Sequence, residues 1–401
     1  MSRTLDFPRE LRQARFTSRP KLVKHALHFS LETVRHTAQN HAEDVDLQLE
    51  TGLSHTRLIR SEAMSIQNDL RRIIEHRETL SQPEASALME SILAGNASDI
   101  ELAALLGAMA ARGETSAEIA GFATTLRDAS NHLPLSNLEQ EQLVDTCGTG
   151  GDASGSFNIS TAAALVAAAA GVRVAKHGNR AVTSICGSAD VLEALGIPIQ
   201  LSPNESAEAL HNQHFAFLLA PAHHPQLKAV MPVRKALGVR SILHILGPLL
   251  NPAGARRQVM GVYQSRLVPL VANAMILLDI QHAMVVHGDG GLDELALSGP
   301  SEIAELRNET VTQYTITPED FGLQRAPLES LTGGEATVNA LILKSIFAGK
   351  LGPPRDVVLL NAAAVLVVGG LVPNLRDGIT LAAHTIDSGA VTHLVSSLQT
   401  P

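Results

Sequence analysis

From Met64 to about Ser130, apolar residues recur every three or four positions with polar residues between them. That period predicts helices with one apolar stripe each. "LRRIIEHRE" is the first such stretch. Ser81-Gln82-Pro83-Glu84 then signals a new helix, with Ser81 as cap, Pro83 in the first turn and Glu84 three residues on. "ASDIELAALLGAMAARG" repeats the signal, with Ser98 or Asp99 as cap and Gly113 as stop. "SAEIAGFATTLRDAS" makes another helix. The unit is small and all-helical, and its apolar faces need a partner, either the rest of the chain or a second copy.

From about Leu138 the pattern alternates short apolar runs with helical ones. Strands are predicted at "QLVDTC", "VRVAKH", "IPIQL" and "FAFLLAP". Helices are predicted at "TAAALVAAAAG", "SADVLEALG" and "NESAEALHNQ". Further apolar elements follow at "RRQVMGVY", "LVPLVANAMILLD" and "HAMVVHG". Such alternation predicts βαβ units and a parallel sheet covered on both faces. The expected fold class is therefore α/β: a small N-terminal all-helical domain (64–136) and a larger α/β domain (137–401) with a mostly parallel central sheet flanked by helices. Helices from about 225 to 246 are expected to pack on the helical domain. Residues 1–63 lack a strong apolar pattern and are expected to form a poorly ordered extension, with Met64 as the natural start. Their Arg-rich first third is transit-like, but Asp6, Glu10, Glu43, Asp44 and Asp46 oppose that reading. The five histidines there, His25, His28, His36, His41 and His55, have no metal-ligand spacing.

Composition narrows the function. The 401 residues are 45% hydrophobic and 18% charged, with 3% aromatics and no Trp, which suits helices on a sheet. A net charge of -9 argues against a general nucleic-acid binder. Cys147 and Cys186 form no CxxC pattern, so neither a zinc site nor a disulfide framework is expected, and a cytoplasmic location is. No apolar run reaches the length of a membrane span.

The chemistry concentrates in "DTCGTGGDASGSFNIST", residues 145–161. A Walker A loop is excluded because no Lys follows the glycines. Gly148, Gly150 and Ala153 match a dinucleotide GxGxxA, but "SGSFNIS" delays the helix. The next strand also ends in Lys176-His177 rather than in an acid for a ribose. The remaining reading is a phosphate or pyrophosphate nest, where glycines let backbone N–H groups converge on an anion. Asn158, Ser160 and Thr161 then stand at a helix N-terminus, and Lys176 and Arg180 would add positive charge. A plain turn before a capped helix is the alternative. In "VVHGDGGLDELALSG", the adjacent Asp293 and Glu294 are hard oxygen ligands suited to Mg²⁺ with substrate phosphates, and Asp289 competes for that role. "APAHHPQLKAVMPVRKALGVRSILHILGPLLNP" carries His223, His224, Arg234, Arg240 and Asn251. Arg is suited to a bidentate grip on a carboxylate, although a basic helical face would read the same.

Seven blocks, "DTCGTGGD", "FNIST", "KHGNRAV", "GSADVLEALG", "HHPQLKAVMPVRKALGVR", "LGPLLNP" and "GLDE", occur in an order that resembles the anthranilate phosphoribosyltransferases. The resemblance runs from about Met64 to the C-terminus. It implies transfer of the phosphoribosyl group of phosphoribosyl pyrophosphate (PRPP) to the amine of anthranilate, in tryptophan biosynthesis, with Mg²⁺ and usually as a homodimer through the helical domain. It places PRPP contacts on Gly148, Gly151, Asp152, Ser156, Asn158, Ile159, Ser160, Thr161, Lys176 and Ser188. Anthranilate contacts fall on Gly148, His177, Asn179 and Arg234, and metal ligands on Ser160, Asp293 and Glu294. No dedicated general base is implied, nor any nucleic-acid or membrane partner. Ile185 and Cys186 depart from a more polar pattern, and His244 stands where Asn is frequent. The alternatives are a pyrimidine nucleoside phosphorylase, a relative using another aromatic amine, or a non-catalytic PRPP-binding protein.

Overall fold

The computed structural model describes residues 66–399 apart from 182 and 183. The expectations for residues 1–63 and for Met64 lie outside the described residues. Four helices come first: α1 Gln67–Ile74, α2 Gln82–Leu93, α3 Asp99–Arg112 and α4 Ser116–Asp128. The Glu84 carboxylate accepts from the N–H and the hydroxyl of Ser81 at 2.8 and 2.7 Å, as the start signal predicts. Ser98, not Asp99, caps α3, accepting from the N–H of Glu101 at 3.3 Å, and Gly113 ends it with φ 93°. Buried Glu118 fastens the bundle: it accepts from Arg112 at 2.6 Å and from the backbone N–H of Leu80 at 3.0 Å. Gly121 lets α4 close on α2, since a Cβ there would lie 2.4 Å from the Gln82 carbonyl oxygen.

Seven strands form one sheet in the order β3-β2-β1-β4-β5-β6-β7. The parallel part comprises β1 Leu143–Gly148, β2 Arg173–Gly178, β3 Phe215–Leu219, β4 Arg257–Gly261 and β5 His282–Gly288. Along it run α5 Ile159–Ala169, α6 Ser188–Ala194, α7 Pro203–Gln213, α8 Met231–Leu237, α9 Ile242–Leu246 and α10 Leu267–Ile276. An antiparallel hairpin, β6 Ser301–Arg307 and β7 Thr310–Ile316, closes one edge. Its tight turn puts Asn308 and Glu309 at φ 50° and 60°, the signature of a two-residue hairpin loop. The expectation of a mostly parallel α/β sheet holds, while the hairpin lies outside the βαβ pattern.

Strand side chains divide among two large cores and a small third one, where Leu143, Ala175, Ala216 and Leu218 of β1–β3 meet Leu133 and Leu210. Val144, Val174, Phe215, Phe217, Val259 and Val286 face α5 and the C-terminal helices α11 Ala336–Phe347, α12 Pro353–Val368, α13 Leu375–Asp387 and α14 Ala390–Leu398. Met260, Ala283, Val285 and Leu306 face α10 and the four-helix layer. Val233 of α8 and Ile242 and Ile245 of α9 join the latter cluster, beside Leu102, Leu105 and Phe122.

One expected strand is absent. Residues 197–201, "IPIQL", join no strand: the Ile197 N–H turns back to the Leu192 carbonyl at 2.9 Å, and Pro198 has no N–H to donate. Ile197 and Ile199 are buried in the core, which explains their strand-like periodicity. Among the described residues no helix is long and apolar enough to cross a membrane.

Candidate active site

In sequence the chain builds β1, β2 and β3 in one direction and then returns to place β4 on the other side of β1. Such a switch point opens a crevice beyond the carboxyl ends of the two central strands. Gly148 and Gly261 end those strands and face each other in register. Asp293 fills the space their side chains would take. A Cβ on Gly148 would lie 2.2 Å from the Asp293 carboxylate, and one on Gly261 would lie 1.5 Å from the Asp293 carbonyl oxygen.

The carboxylate of Asp293 accepts from the N–H of Gly150 at 2.7 Å, and that of Glu294 from the N–H of Ser160 at 3.0 Å. Asn361 of α12 secures the following residue, accepting from the N–H of Leu295 at 2.9 Å and donating to its carbonyl at 3.0 Å. Burial raises the pKa of both acids well above the carboxylate range. The Asp152 charge adds to this for Asp293, and Asp293 does so for Glu294. Lys176 opposes the effect on Glu294. Its fully buried ammonium donates to the Thr146 carbonyl at 2.5 Å and to Ser160 Oγ at 3.4 Å. Among the described residues, the buried Oδ2 of Asp152 has no hydrogen-bond partner. Two hard acids, one hydroxyl and an orphaned carboxylate oxygen fit a Mg²⁺ completed by phosphate and water oxygens. Accordingly, no group of three or more His, Cys, Asp or Glu side chains among the described residues forms a metal cage by itself.

The glycine-rich loop rises over this pair. Gly150, Gly151, Ala153 and Gly155 all have left-handed φ, between 59° and 74°, a backbone that turns successive N–H groups toward one side. Ala153 is the only non-glycine of the four, and such a conformation costs an alanine about 1 kcal/mol. The far end of the loop is tied down: the N–H of Gly333 donates to Gly155 at 2.8 Å and that of Phe157 to Leu331 at 3.0 Å. Asn158 donates to the Cys186 carbonyl at 3.2 Å and accepts from Asn339 at 2.9 Å. Ser156 Oγ accepts from Ser154. Ile159, Ser160 and Thr161 form the first turn of α5, with Ile159 and Thr161 buried.

The other expected contacts line β2 and the segments beyond it. The backbone N–H of His177 donates to buried Asp145 at 3.1 Å. Its ring meets that of His224 edge-on at 5.2 Å, and Nε2 of each ring is buried without a hydrogen bond. Burial holds His177 well below the usual histidine pKa and His224 at about 4, so both stay neutral near pH 7. Ser188 donates to the Asn179 carbonyl at 3.3 Å. Arg234, on α8, is half-buried, and burial lowers its pKa. Among the described residues no carboxylate pairs with it, and its polar neighbour is Met231 Sδ at 3.9 Å. His244, in the position often held by Asn, uses Nδ1 to accept from the Ser241 N–H at 3.2 Å.

Two expectations fail. Arg180 does not charge the loop, because it pairs with Asp190 at 3.0 Å and Glu193 at 2.9 Å on α6. Asp289 does not compete with Asp293: it is exposed and lies against Gly299, where a Cβ would come within 2.6 Å of its carboxyl carbon. Sequence reasoning missed Gly261, Asn339 and Asn361. Only Asn361 left a signal, as the lone amide in the apolar run "VVLLNAAAVLVV".

Comparison with known proteins agrees with this geometry. Residues 69–130 match the glycosyl transferase family helical bundle domain, and residues 140–392 match its a/b domain. An anthranilate phosphoribosyltransferase of Chloroflexus aggregans is 48% identical over 328 residues, 81% of this chain and 95% of the relative. The crystal structure of the Thermus thermophilus anthranilate phosphoribosyltransferase is 41% identical, with a TM-score of 0.77 over 82% of this chain and 98% of that one. The Saccharomyces cerevisiae counterpart, in complex with PRPP and Mg, is 26% identical, with a TM-score of 0.75 over 84% and 97% of the two chains.

Proposed function

The chain belongs to the anthranilate phosphoribosyltransferase family, and we propose that its switch-point crevice is where it moves the phosphoribosyl group from PRPP to the amine of anthranilate. The observation that carries this reading is the placement of Asp293 and Glu294 against the glycine loop and the first turn of α5.

In the transfer, the bond from ribose C1 to pyrophosphate breaks and the leaving group takes the electron pair. The anthranilate amine forms the C1–N bond with its lone pair, and its surplus proton leaves to pyrophosphate or water. Positive charge builds on the sugar and negative charge on the leaving oxygens, so fixed donors aimed at the latter lower the barrier. The loop N–H groups of Gly151 and Asp152, the hydroxyls of Ser156, Ser160, Thr161 and Ser188, Asn158, the backbone at Ile159 and the ammonium of Lys176 are the donors assigned to PRPP. Ser160, Asp293 and Glu294 would hold Mg²⁺, which when bound supplies positive charge to the phosphate oxygens. Arg234 would grip the anthranilate carboxylate. Neutral His177, Asn179 and the side-chain-free edge at Gly148 would border its ring. An aromatic amine is unprotonated at neutral pH, so no dedicated base is assigned.

At the scale of the chain, 64–136 is assigned as the helical domain and 137–401 as the transfer domain. Ile74 and Ile100, exposed on the helical layer, support a homodimer formed there. A cytoplasmic location fits a biosynthetic enzyme of this kind. The test is the loss of anthranilate fluorescence: it should require PRPP and Mg²⁺ together. Turnover with either omitted, or phosphorolysis of thymidine instead, would contradict the reading.

A further inference from the structure

Arg240 lies between α8 and α9, on the segment that packs against the helical layer. Its side chain crosses to the glycine-rich loop, where Nη2 donates to the carbonyl of Gly151 at 2.7 Å. The guanidinium carbon also lies 4.5 Å over the ring of Tyr263, just past the end of β4. Among the described residues no carboxylate pairs with Arg240, although it is exposed, whereas Arg180 is consumed by two acids. Buried Tyr263 is thus a fixed platform, and the planar guanidinium stacked on it has its donors aimed at one peptide of the loop.

That peptide matters because of its geometry. In a trans peptide the carbonyl and the following N–H point in opposite directions. Holding the Gly151 carbonyl outward therefore turns the N–H of Asp152 the other way. The preceding residue is held as well, by Asp293 accepting from the N–H of Gly150. Gly150 and Gly151, at φ 67° and 74°, have almost no intrinsic preference to stay in this conformation. The hydrogen bonds from Arg240 and to Asp293 define it instead.

We propose that Arg240 and Tyr263 act as a positioning latch that orients the Gly151–Asp152 peptide, and hence the loop's affinity for PRPP. This rests on the phosphoribosyl transfer proposed above. Arg240 meets the glycine loop at a backbone carbonyl and not at an acceptor-side residue, so its loss should change PRPP binding far more than anthranilate binding.

The test combines steady-state kinetics with amide hydrogen exchange over residues 149–156 in Arg240→Ala, Tyr263→Phe and Tyr263→Leu. Removing the charged donor from the carbonyl should raise the PRPP KM about tenfold. The anthranilate KM should stay within about twofold, and exchange across the loop should quicken while the rest of the chain keeps its protection. Tyr263→Phe keeps the ring and should behave as the wild type. Tyr263→Leu should reproduce Arg240→Ala, and the double variant should be no worse than either single one, as expected for residues acting as a unit. Unchanged loop exchange or an unchanged PRPP KM in Arg240→Ala would overturn the latch. So would a uniform loss of melting temperature and of both KM values. Exchange reads the latch without any turnover, so a wild-type protein inactive on anthranilate would overturn the functional reading alone.

Discussion

A methyl group added at position 261 would lie 1.5 Å from the backbone oxygen of Asp293, and one at position 148 would lie 2.2 Å from its carboxylate. The two substitutions should differ, because backbone cannot yield whereas a side chain can. Gly261→Ala is expected to cost about 3 kcal/mol of stability as the turn is displaced, read as a lowered urea midpoint, with turnover lost. Gly148→Ala should retain more stability yet lose Mg²⁺-dependent activity, because it pushes the carboxylate aside. On the acceptor side, Arg234→Ala should raise the anthranilate KM about 100-fold through loss of a charge-assisted carboxylate contact. The PRPP KM should change little, and equal effects on both substrates would remove Arg234 from that role. Residue types at these positions were legible from motif chemistry. The constraint on Gly261 was not, because a lone glycine at a strand end says nothing about a carboxylate arriving from a distant part of the chain.

Among the elements, the segment after β5 depends on α12 more than on itself. Asn361 satisfies both backbone groups of Leu295, so Asn361→Leu would leave a buried N–H and C=O without partners. That should cost about 3 kcal/mol and raise the Mg²⁺ concentration needed for half-maximal activity, measured by titration at saturating PRPP. A stability loss with unchanged Mg²⁺ dependence would mean that Asn361 does not position the metal-holding acids. Helix starts were well read from sequence because capping is local: Ser81, Ser98 and their glutamates lie three residues apart. "IPIQL" reads as a strand because burial alone gives Ile197 and Ile199 a two-residue period. The β6–β7 hairpin escaped notice because its turn residues, Asn308-Glu309, are not a strong turn pair.

For the whole molecule, periodicity located the sheet and helices but could not bring Gly150 and Ser160 to Asp293 and Glu294. Sheet order did that. Burial also gives single groups an acid response. His224 is held at about 4, below its unfolded value near 6.5. A lowered histidine pKa contributes stability that is present above pH 6.5 and is lost as pH falls toward 4, by about 3 kcal/mol. The buried acids Asp293 and Glu294, raised in pKa, act in the opposite direction over this range, so the histidine is read as a difference: the melting temperature of the wild type relative to His224→Gln should fall between pH 6.5 and 4. A difference that stays constant across this range would remove His224 from the acid response.

In the proposed site, Asp293 and Glu294 complete the PRPP pocket through Mg²⁺. Calorimetric titration of PRPP with Mg²⁺ into the wild type and into the Asp293→Asn, Glu294→Gln double variant reads this role. Neutral amides relieve two buried, mutually repelling acids, so the variant should fold with an undiminished melting temperature. The wild type should bind PRPP in a Mg²⁺-dependent manner, and the variant at least about 100-fold more weakly. A folded variant that binds PRPP with the wild-type affinity and metal dependence would rule out that role for the two acids.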